Sequence, residues 1–265
     1  KKHSALEFET SFGMSYRRLN SIFKDVVSVN ADEVFDGCEF GAQGKSSTDG
    51  ATPGVKIFGG NVVIQNSTFA NRGYSAVNYK TGNITLKNNL FKCSVDGAVM
   101  VKNPIEGLYK AEGALVDNMV LENNIFDGKC GNNYMNFYQF KDGAKVILKG
   151  NQIKNADLDA EMVRISNTNN AKNVSFEIEN ETYNWVDGNA TKWTSYLLYE
   201  DDSAVGKAED YTGININIKN LMCDGEKITE LVDGNSRKRV QLMYRPDNGG
   251  ILATPDSNNP VVTIQ

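Results

Sequence analysis

The chain has 265 residues, 40% of them apolar, enough to bury the core of one large or two ordinary domains. Lys and Arg number 28 against 33 Asp and Glu, a net charge of −5 without long runs of either sign, which argues against nucleic acid, whose phosphates need a concentrated basic surface. No apolar stretch is long enough to span a membrane, and the only histidine is His3, which argues against histidine-based zinc sites and Ser-His-Asp or Cys-His hydrolases.

Residues 1–30 read as an N-terminal cap or a first coil. The opening KKHSALEFET has a basic pair but no apolar core, so it reads as no signal peptide. Phe12, Tyr16, Leu19, Phe23 and Val26 stand at helical spacing and would suit an amphipathic capping helix. Yet NSIF (20–23) mirrors NSTF (66–69), which argues for a coil. Both readings stay open here.

From residue 31 a phrase recurs: FDGCEF (35–40), IQNSTF (64–69), LKNNLF (86–91), LENNIF (121–126), LKGNQI (148–153), IENETY (178–183) and IKNLMC (218–223). Its first position is always apolar. Its third is Asn66, Asn88, Asn123, Asn180 and Asn220, or Gly37 and Gly150; its sixth is Phe40, Phe69, Phe91, Phe126, Ile153, Tyr183 and Cys223. Asn and Gly tolerate a left-handed backbone, so position three predicts a tight bend between two strands. Stacked asparagines there would hydrogen-bond into an amide ladder. A second strand follows in most units: AVNY (76–79), AVMV (98–101), MNFYQF (135–140), MVRIS (162–166) and YLLYE (196–200).

The closing residues are spaced 29, 22, 35, 27, 30 and 40 apart. A variable period of this size predicts an all-β fold: a single-stranded, right-handed parallel β-helix of about seven or eight coils, spanning 31–245. A β-sandwich is the rival, disfavoured because one asparagine register recurs throughout. Excess length marks inserted loops at 102–113, 184–193 and 200–211, and loops on a solenoid commonly line a working face. The last segment, 246–265, breaks the pattern with prolines and reads as a covering tail or interaction arm. Cys38, Cys93, Cys130 and Cys223 form no CxxC and read as small buried thiols, with a Cys93–Cys130 bridge as the alternative.

The phrases VVIQNSTFAN, ITLKNNLFKC and MVLENNIFDG resemble the right-handed β-helix superfamily whose best-known members are pectate-lyase-like. The resemblance spans about residues 31–223 and implies the fold. Its members include polysaccharide lyases, glycoside hydrolases, phage tailspikes and non-catalytic surface proteins, so it implies an extracellular, cell-surface or virion-surface setting without fixing an activity. No catalytic motif of a named lyase family is present, so no family residue is carried over.

Among acidic groups, Asp157, Asp159 and Glu161 precede a strand carrying Arg164. The two aspartates would share one side and hold calcium through oxygen; Arg164 would neutralise a uronic-acid carboxylate while a proton is abstracted. The bland alternative is a solvated turn with a local ion pair, and Glu200, Asp201 and Asp202 read the same way. No cofactor other than that calcium is suggested.

Sugar binding has more material. Trp185 and Trp193, the only tryptophans, lie in one insertion near Tyr183, Tyr196 and Tyr199, and flat rings with polar edges suit sugar faces. A satellite core is the alternative. If Val77, Val99 and Val163 point inward, Asn78, Met100 and Arg164 form an outward column, with Tyr138 beside it. Five N-x-S/T sequons occur, two of them at the bends of Asn66 and Asn180, where a packed ladder would leave no room for glycan.

These features favour a non-catalytic β-helix at an extracellular or virion surface, presenting a face to a glycan or protein. A polysaccharide lyase or glycoside hydrolase, and an oligomeric structural component of a virion, are the alternatives.

Overall fold

The computed structural model describes residues 5–10, 13–107, 115–157, 161–167, 169–186, 195–200, 211–229, 232–233, 239–241 and 260–265. Three long sheets carry the chain, one of ten strands and two of nine, beside a two-stranded hairpin. Successive strands visit the three sheets in turn, and like strands of successive turns pair in parallel, as Asn83–Lys87 does with Asn61–Gln65 on one side and Val116–Glu122 on the other. This is a parallel β-helix, and the described residues include no α-helix. Face one holds the strands before the Asn bend and face two those after it. Face three contains Val27–Asn30, Val55–Gly59, Val77–Tyr79, Ile105–Gly107, Asn133–Tyr138, Glu161–Ser166 and Ser195–Glu200.

In-register parallel pairing places each phrase on its own copy, so one apolar position becomes one column. Position one stacks Phe35, Ile64, Leu86, Leu121, Leu148, Ile178 and Ile218 inside face one. Position six stacks Phe23, Phe40, Phe69, Phe91, Phe126, Ile153, Tyr183 and Cys223 inside face two. From Phe40 to Phe126 the ring centroids lie 4.6, 4.6 and 4.7 Å apart with planes 14°, 10° and 9° from parallel. That spacing is the distance between neighbouring strands, so the ladder itself sets the ring stack.

The bend is left-handed, with φ of 50° at Asn66, 54° at Asn88, Asn123 and Asn220, and 56° at Asn180. Gly37 and Gly150 take the same conformation at 65° and 67°, and a Cβ on them would clash with the Asn20 and Asn123 side-chain oxygens. Asn there supplies an amide; Gly leaves room for a neighbour's.

The expected amide ladder is in fact two. The position-three side chains are exposed: Asn88 Nδ2 donates to Asn66 Oδ1 at 3.2 Å, and Asn66 Nδ2 to Asp36 Oδ1 at 2.9 Å. The glycan-excluding packing expected at Asn66 and Asn180 is therefore absent, because the bend turns these amides outward. The buried ladder is the next position, Ser67, Asn89, Asn124, Asn151 and Glu181. Asn89 N and Nδ2 both donate to Asn124 Oδ1 at 3.0 Å, Asn124 N and Nδ2 to Asn151 Oδ1 at 2.9 Å, and Asn151 N and Nδ2 to Glu181 Oε1 at 2.8 and 2.9 Å. The column ends at Leu221, so Glu181 closes it as an acceptor, with Tyr183 Oη donating to its Oε2 at 3.0 Å.

One open reading is decided and one segment differs from the expectation. Gly13–Leu19 pairs in parallel with Glu33–Asp36, Ile22–Phe23 with Glu39–Phe40, and Asn20 takes the bend conformation at φ 47°, so this stretch winds as a coil rather than a helix. Ala98–Val99 belongs to a hairpin with Ser94–Val95, and the face-three strand is instead Ile105–Gly107, inside the segment read as an inserted loop. The hairpin supplies much of the long 35-residue spacing. At the other end Val261–Ile264 adds a parallel strand to face one. All four cysteines are buried thiols outside any disulfide, so Cys93 and Cys130 stay separate.

Candidate functional site: a buried polar column on face three

Face three is where regularity fails. Val77, Ile105, Met135 and Val163 register with one another and are buried. The next residue of each strand points the other way by pleat alternation, which stacks Lys56, Asn78, Glu106, Asn136 and Arg164 in one outward column. An outward column on a solenoid is ordinarily solvated, yet Asn78 is 6% exposed, Glu106 3% and Asn136 0%. Half-buried Lys56, Tyr74, Lys102 and Arg164 surround this floor.

Glu106 is the centre. Asn136 Nδ2 donates to its Oε2 at 2.7 Å and also lies 3.3 Å from Tyr138 Oη, and the Asn103 side chain bonds the carboxyl as well. Burial pushes the Glu106 carboxyl up to about 7, against the opposing pull of the Asn136 bond and the Arg164 and Lys102 charges. Desolvation and the Glu106 charge raise Tyr74 above its ordinary value. The Arg164 guanidinium carbon lies 5.8 Å from the Tyr138 ring centroid, and Lys102 Nζ 5.3 Å from that of Tyr74. From beneath, Tyr79 Oη donates to the Asn136 carbonyl at 3.0 Å; Gly107 leaves room for the phenol, since a Cβ there would meet Tyr79 Oη at 3.2 Å. The side-chain oxygens of Asn78 and Asn136 are buried without any donor.

The sequence candidates scatter. Asn78, Tyr138 and Arg164 meet in this cluster. Met100 does not, because its segment is the hairpin end, and Glu106 takes the place assigned to it. Asp157 is exposed just beyond the face-two strand Gln152–Ala156, and the groups it perturbs are Cys130 and Tyr134 rather than Glu106. Asp159 lies outside the described residues, and Glu161 opens the strand that carries Arg164. Among the described residues no group of three or more His, Cys, Asp or Glu is placed to hold a metal ion.

Of the aromatic candidates, Trp185 is 2% exposed and part of the core cluster, so its ring packs as core in this structure. Trp193 lies outside the described residues. Tyr196 and Tyr199 belong to the strand Ser195–Glu200, where Tyr199 registers with Ile165.

A signal for Glu106 existed in the sequence. Asn78, Glu106, Asn136 and Arg164 are spaced 28, 30 and 28 apart, each directly after an aliphatic residue or Met, whereas a column through Met100 needs 22 and 36. The Asn-Pro at 103–104 disguised it as a loop.

The fold and the site define a class: a parallel β-helix with a buried, carboxyl-centred polar column on one outer face. Comparison of the chain with protein-family models, with curated proteins and with solved structures finds no match in any of the three.

Proposed function

We propose that this protein is a non-catalytic β-helix of the pectate-lyase-like superfamily, acting at an extracellular or virion surface, and that face three binds a glycan. The observation that carries the proposal is the column Asn78–Glu106–Asn136–Arg164: polar side chains held below a half-buried rim, with amide oxygens lacking donors. Polar groups bordered by aromatic rings are what fix a ligand's orientation at small-ligand sites. Retention on a polysaccharide array, run with and without calcium, tests it. Binding lost in Glu106→Gln supports the reading; a protein partner that competes for the same face, with every glycan ignored, overturns it.

A second reading, a polysaccharide lyase or glycoside hydrolase, draws support from one observation. A carboxyl raised to about 7 is poised to give and take protons near neutral pH. A glycosidase pair needs a second carboxyl across the cleft; among the described residues Glu106 has no such companion in the cluster. A rise in ultraviolet absorbance from unsaturated uronides on a polyuronide panel would establish lyase chemistry, and a flat trace across the panel removes it. The structural-component alternative expects a stable oligomer by sedimentation, which a concentration-independent monomer removes.

A further inference from the structure

Independently of the ligand that face three takes, we infer that the chain carries out one reaction on itself there: Lys56 Nζ displaces ammonia from the Asn78 side chain, with Glu106 carrying the protons, and a side-chain amide bond joins two successive coils.

Lys56, Asn78 and Glu106 stand in register on three adjoining parallel strands and project on the same side. Neighbouring strands lie about 4.8 Å apart, and the four-carbon stem of a lysine reaches farther than that. Lys56 Nζ lies 6.0 Å from the ring centroid of Phe58, an exposed residue of its own strand, so rotation of the stem is what carries it to Asn78. Asn78 is buried, and its Oδ1 accepts no hydrogen bond. Nothing from outside has to enter, because the nucleophile belongs to the adjoining strand. Asn118 and Lys145 also register, on face one, but both are exposed and Asn118 Nδ2 is committed to Asn83 Oδ1 at 3.0 Å. Their column, Asn83–Asn118–Lys145–Ser175, holds no carboxyl.

The step balances within the three residues. The Glu106 carboxylate takes one proton from the Lys56 ammonium, and the resulting acid donates a hydrogen bond to Asn78 Oδ1, which draws electrons from Cγ. The neutral amine attacks, so the Nζ–Cγ bond forms. Glu106 relays the second amine proton to Nδ2, the Cγ–Nδ2 bond breaks, and both protons leave on the released ammonium ion. No oxidant or reductant is consumed. A carboxyl that burial raises to about 7 both accepts and gives protons near neutral pH. Its other sides are occupied: Asn136 and Asn103 hydrogen-bond it, and the Arg164 and Lys102 charges act on it.

Intact mass spectrometry of the purified full chain, unaltered, decides the matter. Its mass should fall below that of the sequence by one ammonia. A tryptic digest should contain a branched peptide joining Lys56 to Asn78, with no cleavage after Lys56. Lys56→Arg keeps the cation and Glu106→Gln keeps the shape, and both should return the full sequence mass, with thermal melts confirming that each variant folds. Lys145→Arg, at the exposed pair on face one, should keep the ammonia deficit. A full sequence mass for the unaltered chain after prolonged incubation at neutral pH would overturn the inference. So would a deficit that maps to any other pair of residues, or one that persists unchanged in Glu106→Gln. Glycan retention is read separately on the array, so neither result decides the other.

Discussion

Glu181 makes stability depend on pH in a direction opposite to most carboxylates, and replacing it with glutamine should erase that dependence. The side chain is fully buried at the end of the inner ladder, where Oε1 accepts both Asn151 donors and Oε2 meets Tyr183 Oη. Burial pushes its carboxyl from 4.5 up to about 8, although the Asn151 and Tyr183 bonds pull it down. A folded-state value above the unfolded one means that its contribution is complete below about pH 4.5. It is lost progressively as pH rises through about 8. At about 1.4 kcal/mol per pH unit, the loss is about 3 kcal/mol by pH 7, with a ceiling of about 5 kcal/mol above pH 8. A glutamine in its place would keep the Oε1 acceptor and donate from Nε2 to Tyr183 Oη, the phenol turning to accept, with nothing to ionise. In urea titrations at pH 5, 7 and 8.5, Glu181→Gln should match the parent within about 1 kcal/mol at pH 5 and exceed it by about 3–5 kcal/mol at pH 8.5. Glu106, raised to about 7, adds a slope of the same sign, which cancels in the difference between the two proteins. Identical pH slopes for parent and variant, or a variant weaker at every pH, would refute the reasoning.

The two amide ladders should differ sharply in denaturant titrations. Asn124→Ala leaves the buried Asn89 N–H without an acceptor and strips the donor from the Leu86 carbonyl, costing about 3 kcal/mol or more, whereas Asn88→Gly on the exposed ladder should cost under about 1 kcal/mol; equal losses would mean that burial does not distinguish them. Phe91→Ala opens a gap in the ring stack between Phe69 and Phe126 and should cost about 3–5 kcal/mol by the same measurement, and a loss below about 1 kcal/mol would contradict the continuous stack. Gly150→Val forces a branched residue into φ 67° against Asn123 Oδ1, with an expected loss of at least about 2 kcal/mol, while Gly150→Asn should lose less than half of that; a tolerated valine would show that this bend is not left-handed.

The winding itself was legible in the sequence, because a parallel in-register stack is nearly one-dimensional: Leu86 needs only to lie over Ile64 and under Leu121, so the phrase that repeats in the chain repeats in space. The same logic read the bend, since only residues tolerant of positive φ recur at position three. What the phrase could not assign was which of two adjacent asparagines faces inward. Asn88 and Asn89 are alike in type, and the left-handed bend breaks strand alternation between them, sending the first outward and the second into the core. Face three was harder still, because no shared phrase runs through it; which strand follows Val77–Tyr79 was decided by pairing with Ile105–Gly107 across the hairpin at Ser94–Val99. The polar column is a tertiary product in the same sense: Glu106 is an ordinary glutamate in the sequence, and only the assembled neighbours bury its carboxyl and set amide oxygens on either side of it.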